Sequence, residues 1–340
     1  MNSKIAFFTD LHLGVHQNSE RWLTIALEWS NWFQKELKDR NIHELIFGGD
    51  FFHYRDEVNV KCLHAANLIL DTFKDFNITM ITGNHDSYYK DHSTVNSLSI
   101  LNTKNNIDVI DVPKVIRKKG RDLMMCPWGI DMSEIEPADI IFGHFEIQNF
   151  KYNNFKVCEH GFNSRELLNK TTRVFSGHFH KREERNYDNG VVVYAGNTFE
   201  MDFSDLGDKK GFYIIDLEDL SYEFVENNYS PNHVKIKTSD IATLPQYKDR
   251  LHNIILKLLV DNDIKIKDLD NIVSKVNSYN PVDLTVDYLH KFNPGDTPFT
   301  NELADLNTRE CIIEYIDNTI DDEYKVDVIK KTIEIYKQFV

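Results

Sequence analysis

The 340-residue chain has no apolar stretch approaching the roughly 20 residues that a membrane helix requires, which leaves no ground for a spanning segment. Its first residues, Met1 to Phe8, run straight into a strand pattern and lack the long apolar core of a secretory leader. Cysteine is scarce: Cys62, Cys126, Cys158 and Cys311 stand apart with no CxxC pair, the pattern of reduced thiols packed as small hydrophobes in a cytoplasm. Positive charge is short as well. A formal charge of −15 excludes a chain that coats nucleic acid by charge alone. It does not exclude nucleic acid as a substrate, because bound divalent ions would reverse the charge of a site locally. What is present, 27% charged and 41% hydrophobic residues, describes a folded globular chain whose length suits one large domain plus a smaller one.

Five short motifs follow one another through the first 180 positions: Asp10-Leu-His12, Gly49-Asp50, Gly83-Asn84-His85-Asp86, Gly143-His144 and Gly177-His178-Phe179-His180. Each closes a short run rich in Ile, Val and Phe: Ile5–Thr9, Glu44–Phe47, Ile78–Thr82, Asp139–Phe142 and Arg173–Ser176. Between the early runs lie helical spacings, Trp22, Ala26, Trp29, Phe33 and Leu37, then Val60, Leu63, Ala66, Ile69, Leu70 and Phe73. Strand, helix, strand with polar residues at the strand ends predicts an α/β layout with a site along one sheet edge. The aromatic stripe of the first helix reads as core.

The residue types suit phosphodiester hydrolysis. That reaction needs an activated water and neutralisation of charge on the phosphate, which two divalent ions about 3.5–4 Å apart can supply. Asp50, after two glycines that allow a tight turn, is the natural bridging carboxylate. Asp10 and His12, two apart at a strand end, can converge on one ion, and His178 and His180 repeat the device from another strand. Asn84 adds an amide oxygen and His144 an imidazole. A set of carboxylate, amide and imidazole without thiolate favours manganese, iron or magnesium over structural zinc. Singly the motifs are weak, since an Asn-His-Asp after Gly is usually a turn; together and in order they are specific.

Beyond residue 185 the texture turns to strands, with an Asn189-Gly190 hairpin signal. Residues 1–230 read as one layered α/β domain. Residues 231–292 read as a small β-α-β unit, with strands at Asn253–Val260 and Val282–Leu289 around a helix at Ile266–Asn277. A Pro- and Gly-marked linker leads to a tail, 299–340, with helices at Asn301–Ile316 and Glu323–Phe339.

The series DxH, GD, GNHD, GH, GHxH resembles the signature of the calcineurin-like metallophosphoesterase superfamily, whose core is a β-sandwich flanked by helices. The resemblance implies one ion on Asp10, His12, Asp50 and His180, and a second on Asp50, Asn84, His144 and His178. It places His85 beside the scissile phosphate as an aid to the leaving group, with Asp86 as a carboxylate that could orient it or as a turn cap. Gly49-Asp50-Phe-Phe-His53 and the Asp at 86 depart from the phosphoprotein phosphatases, which carry Asp-Arg-Gly and Asn-His-Glu. They resemble the DNA double-strand-break nuclease branch, the SbcD or "Mre-eleven" type, in which the match to His53 lies near the substrate phosphate. Gly143-His144-Phe-Glu146 and the chain length are similar to the recombination nuclease subunits of T-even-like phages.

That branch implies a manganese-dependent nuclease, with magnesium as the alternative metal, acting on duplex ends in the 3′ to 5′ direction and on single strands. It implies a small unit that caps the site, a tail that binds an SMC-like coiled-coil ATPase of the SbcC or "Rad-fifty" type, and helices near 57–74 and 93–103 that pair two copies. The place of action would be the host cytoplasm for a phage-encoded chain. Two basic clusters are candidate DNA contacts: Lys114, Arg117, Lys118, Lys119 and Arg121, and, nearer the site, Lys181, Arg182 and Arg185. Asn197, in Tyr194-Ala-Gly-Asn197, stands where relatives commonly have Ser. Two other readings remain open: a small-molecule or cyclic-nucleotide phosphodiesterase with the same motifs, and a non-catalytic scaffold for the ATPase.

Overall fold

A computed structural model of the chain describes residues 3–152, 156–247, 253–261 and 264–288, and the helical residues Val328, Ile329, Lys331 and Thr332. Residues 1–287 form one compact unit and 288–340 a second. Apart from those four residues, the linker and the two tail helices expected from the sequence lie outside the described residues.

The first unit opens with β1 (Lys4–Phe8), a short turn α1 (Val15–Asn18), the long helix α2 (Glu20–Asp39), β2 (Glu44–Phe47), α3 (Val60–Thr72), β3 (Asn77–Ile81) and β4 (Ile107–Ile110). It continues with β5 (Lys114–Lys118), β6 (Arg121–Cys126), β7 (Ile140–His144), α4 (Ser164–Leu168), β8 (Arg173–Gly177), β9 (Glu183–Tyr187), β10 (Gly190–Tyr194), β11 (Gly211–Asp216) and β12 (Tyr222–Glu226). Two six-stranded sheets result, ordered β12-β11-β1-β2-β3-β4 and β5-β6-β7-β8-β10-β9. The centre of each is parallel: β1 to β4 in the first, and β6, β7, β8 and β10 in the second.

The near-continuous apolar runs follow from burial on both faces. Along β1, Ile5 and Phe7 point between the sheets, where they meet Phe142, Phe175 and Tyr213. Ala6 and Phe8 point the other way, into the helical layer with Trp29, Phe33 and Leu37. Phe33 sits with its ring centre 4.9 Å from Phe8, 4.9 Å from Trp29 and 4.6 Å from Phe212, so the aromatic stripe of α2 is core. The outer face of the second sheet packs Phe145, Val174 and Tyr194 against Leu167 and Leu168 of α4. The layers are helix, sheet, sheet, helix, the sandwich that the resemblance implied.

The strands end within a residue or two of the predicted places, and the Asn189-Gly190 hairpin joins β9 to β10. Three features were not predicted. In α1, His16, Gln17 and Asn18 have φ of 55°, 58° and 60°, so this turn is left-handed. The segment near 93–103 forms a 3₁₀ turn, Ser97–Thr103. The small unit has a further strand: β13 (Asn232–Lys237) pairs in parallel with β14 (Ile254–Val260), and β15 (Asp283–Tyr288) completes the sheet. The helix α5 (Ile266–Asn277) covers it, burying Leu269 and Val276 with Ile236, Leu256 and Leu258. This sheet is fastened to the core by His233, whose main-chain N–H and ring both meet the buried Glu200 carboxylate, at 2.5 and 3.1 Å.

Candidate active site

All five motifs lie at the carboxyl ends of parallel strands, β1, β2 and β3 in one sheet and β7 and β8 in the other. The two sheets bring these ends together. The backbone there is unusual: Asp10, His12, Asp50 and His178 have φ of 55°, 47°, 61° and 90°, a region that non-glycine residues seldom occupy and that concentrates at functional sites. Gly49, with φ of 100°, makes the turn into Asp50. Gly83 admits the carboxylate of Asp50: a Cβ at this position would lie 2.1 Å from its Oδ1.

The polar atoms divide into two groups with Asp50 between them. Asp10, His12 and His180 converge on one side, and Asp50, His144 and His178 on the other; His12 also converges with His53 and His85. Asp50 Oδ2 is 3.5 Å from His12 Nε2 and 3.3 Å from His144 Nε2, so a single oxygen faces both groups. Asn84 Oδ1 joins the second, 3.0 Å from His144 Nε2 and 2.8 Å from His178 Nδ1. In the first, the Nε2 atoms of His12 and His180 face each other at 2.9 Å. Two ring nitrogens so placed need a shared proton or a cation between them.

The electrostatics state the same demand. Asp10, His12, Asp50 and His144 are at most 1% exposed. Burial alone would raise the Asp50 carboxyl, but His144, His12 and His85 outweigh it and hold it well below the ordinary range. Burial would lower His144, yet Asp50 and Asp10 draw it up to about 9. Burial and the neighbouring His12 push His180 down to about 4, and burial with His12 and His85 does the same to His53. Converging oxygens and imidazoles, without thiolate and shielded from water, fit two divalent ions, with manganese and magnesium chemically suited to the donor set.

His85 and His53 stand at the open side of the first group. The His85 ring is 4.7 Å from His12 and stacks on His53 at 5.3 Å, and its Nδ1 is 2.5 Å from the His53 carbonyl. Asp86 does not reach that ring. Its Oδ2 accepts from the main-chain N–H of Asp50 and Gly83 at 2.8 and 3.0 Å, and its Oδ1 from Phe51 and Phe52 at 3.0 and 3.1 Å. Of the two readings of Asp86 the geometry selects the turn cap, because four buried donors converge on a carboxylate that reaches all of them. Burial and the nearby Asp50 still push it up to about 7, against the pull of those donors.

Most charges of the two candidate DNA-contact clusters have partners within the chain. Lys181 pairs with Asp208 at 3.0 Å. Arg182 donates to the Tyr213 hydroxyl at 2.9 Å and lies 4.2 Å over the Phe224 ring. Arg185 pairs with Glu183 and donates to the Asn149 carbonyl at 2.8 Å, over Phe150. In the other cluster, Arg117, Lys118 and Arg121 bond Asp122, Glu44 and Asp139. The turn of their hairpin lies at the amino end of β6, away from the strand ends that carry the motifs, whereas Lys114 stands at its open end, paired with Met125 beside Phe142.

Three residues enter the site without a motif to announce them, and a fourth, Glu146, stands in the Gly143-His144-Phe-Glu146 motif without a role assigned to it. Trp128 closes a wall, its ring 5.0 Å from His178 and 6.1 Å from His144. Its only signal is the Pro127-Trp128-Gly129 break after β6. Glu146, two residues beyond His144, reaches His178, while Asp205 and Lys210 stand behind His180. Asn197 is buried and donates from its amide to Asp205 at 3.0 Å.

The chain belongs to the calcineurin-like phosphoesterase family, whose model matches residues 3–182. Among characterised proteins, exonuclease subunit 1 of Enterobacteria phage T4 is 30% identical to it over 237 residues, which cover 66% of this chain and 68% of that protein. Similar solved structures include a dimetal phosphatase from Danio rerio, with 8% identity, a TM-score of 0.42, and coverage of 63% of this chain and 92% of that one. Another is the nuclease MPE of Pseudomonas putida, with 16% identity, a TM-score of 0.32, and coverage of 65% and 87%. Among the described residues no helix is long and apolar enough to cross a membrane.

Proposed function

We propose that this chain is a two-metal DNA nuclease, the catalytic subunit of a recombination and repair complex. The observation that carries the reading is the pair of ligand groups joined through Asp50 Oδ2, with His85 and His53 beside them. Similarity to a phage exonuclease subunit supports DNA as the substrate class. One ion is assigned to Asp10, His12, Asp50 and His180, the other to Asp50, Asn84, His144 and His178. Manganese is the assigned metal, with magnesium the alternative. When bound, the ions would supply Lewis acidity to the phosphate and to its attacking water.

The chain's own groups do the rest. The His53 carbonyl holds His85 Nδ1, which fixes the ring and leaves Nε2 for the leaving oxygen. His53 lines the same opening and is assigned to phosphate binding. Trp128 covers the His144 and His178 rings and limits water on that side. Asp86 keeps the Asp50–Phe52 turn in shape, so that Asp50 stays between the two groups.

The wider reading follows from the resemblance. Residues 1–230 form the nuclease domain, 231–292 cap it, and 299–340 bind an SMC-like ATPase in the host cytoplasm. Degradation runs 3′ to 5′ from duplex ends, with cutting of single strands. A homodimer is assigned to the segments near 57–74 and 93–103, in which Val60, Leu63, Leu68 and Ile100 are 79%, 41%, 37% and 61% exposed.

The test is digestion of end-labelled linear duplex by the purified chain in manganese, beside an Asn84→Ala variant. Shortening by the unsubstituted chain alone supports the reading. Full activity of Asn84→Ala contradicts the site, and turnover of cyclic nucleotides without DNA cleavage would replace the nuclease by a small-molecule phosphodiesterase.

A further inference from the structure

The two histidines of Gly177–His180 are each held from behind, and by different means. His178 turns Nδ1 toward Asn84 Oδ1 and leaves Nε2 3.4 Å from Glu146 Oε1. Glu146 is itself fixed, with Oε2 3.2 Å from His160 Nδ1 and Oε1 3.4 Å from the Tyr152 hydroxyl. A carboxylate on the outer nitrogen of a liganding imidazole sets its tautomer, fixes the ring and makes the inner nitrogen more basic.

His180 is held through its main chain. Its carbonyl accepts from Lys210 Nζ at 2.8 Å and from the Asn197 N–H at 3.2 Å. Lys210 is 3% exposed and pairs at 2.7 Å with Asp205, 4% exposed. The second Asp205 oxygen accepts from the Asn197 amide and from the Met201 N–H. A buried ion pair contributes little net stability, since desolvation offsets the attraction. This one does something an apolar pair could not: it presents an ammonium to the carbonyl of His180, and so fixes where that imidazole starts.

We propose that Glu146 and the Lys210–Asp205 pair are positioning residues that set the affinities of the two ions separately. Glu146 acts through the His178 ring on the ion shared with Asn84 and His144. Lys210 and Asp205 act through the His180 main chain on the ion shared with Asp10 and His12. The inference rests on the two-ion reading of the site.

Manganese titration of the full chain, followed by calorimetry and by the paramagnetic signal of free manganese, provides the test. The unsubstituted chain should bind two ions. Glu146→Gln should weaken one of them by about 10- to 100-fold and leave the other in place, the usual cost of removing an outer partner of a liganding histidine. Placed on His178→Ala, Glu146→Gln should add nothing, whereas on His180→Ala its full effect should remain. Lys210→Met combined with Asp205→Leu should show the opposite pattern, weakening the ion shared with Asp10 and His12, and Lys210→Arg, which keeps a donor and the charge, should lose less affinity at that ion. Lys210→Arg serves alone, with a smaller loss at the same ion, where the double variant does not fold. Two ions bound with unchanged affinity in Glu146→Gln, or equal weakening of both ions by either substitution, would overturn the proposal while the two-ion site stood. Fewer than two ions on the unsubstituted chain would overturn the site reading and this inference with it.

Discussion

Replacing Asp86 by Asn separates two roles for a buried carboxylate. Each Asp86 oxygen accepts two main-chain N–H groups, Asp50 and Gly83 on Oδ2, Phe51 and Phe52 on Oδ1. Asn has nearly the same shape, so no cavity forms, but it keeps one acceptor oxygen and puts an NH₂ group where the other stood. Two buried N–H groups would then face donors. At about 1–3 kcal/mol for each stranded buried donor, the expected loss is about 2–6 kcal/mol. That is a large part of the roughly 5–15 kcal/mol that holds a domain folded. Urea unfolding with metals chelated reads this directly, because bound ions would otherwise add stability by mass action. The turn cap predicts a clear fall in the unfolding midpoint, with weaker metal binding because Asp50 shifts. An unchanged midpoint with slowed hydrolysis would refute it and return Asp86 to the role of orienting His85.

Three further expectations follow from the same geometry. His85→Ala should bind both ions and lose about 100- to 10,000-fold in hydrolysis, the range for a lost acid–base group, whereas loss of an ion would make His85 a ligand. Arg182→Ala should lose about 1–3 kcal/mol of stability, from its contact over Phe224 and its bond to Tyr213, and leave the salt dependence of DNA binding unchanged. A fall of about one in that slope would show that Arg182 meets phosphate after all. For Asp205, burial would raise the carboxyl, but Lys210 and His180 outweigh it and hold it below the ordinary range. Its contribution to stability is therefore full above the unfolded value of about 3.9 and is lost as pH falls through that value toward the lower folded one. The stability gap between the native chain and Asp205→Asn should narrow below about pH 4, and a gap independent of pH would contradict the assignment.

The candidate ligand groups could be read from the sequence because each one ends a strand that is apolar on both faces. Asp10, Asp50, Asn84, His144 and His178 thus carry their positions in the local pattern around them. The residues that hold them do not. Glu146 meets His178 across 32 positions and Lys210 meets the His180 carbonyl across 30, contacts that no local spacing encodes. The same limit explains the basic cluster: Lys181 and Arg182 look free in the sequence because Asp208 and Tyr213, which engage them, come some thirty residues later. Asp86 was ambiguous for a different reason. A turn cap and an outer partner of His85 both call for a carboxylate at that position, and only the direction of four N–H groups decides between them. The strand β13 was missed because its buried residues, His233 and Ile236, stand three apart instead of alternating, and because it follows a proline. The left-handed turn His16–Asn18 has no glycine to announce it.

The central claim is that two ions share Asp50. Crystals grown with manganese and measured at its absorption edge would test it most directly. The account predicts two anomalous peaks about 3.5–4 Å apart. One would lie among Asp10, His12 and His180, the other among Asn84, His144 and His178, with an Asp50 oxygen between them. A single peak, or two peaks that do not share Asp50, would contradict it.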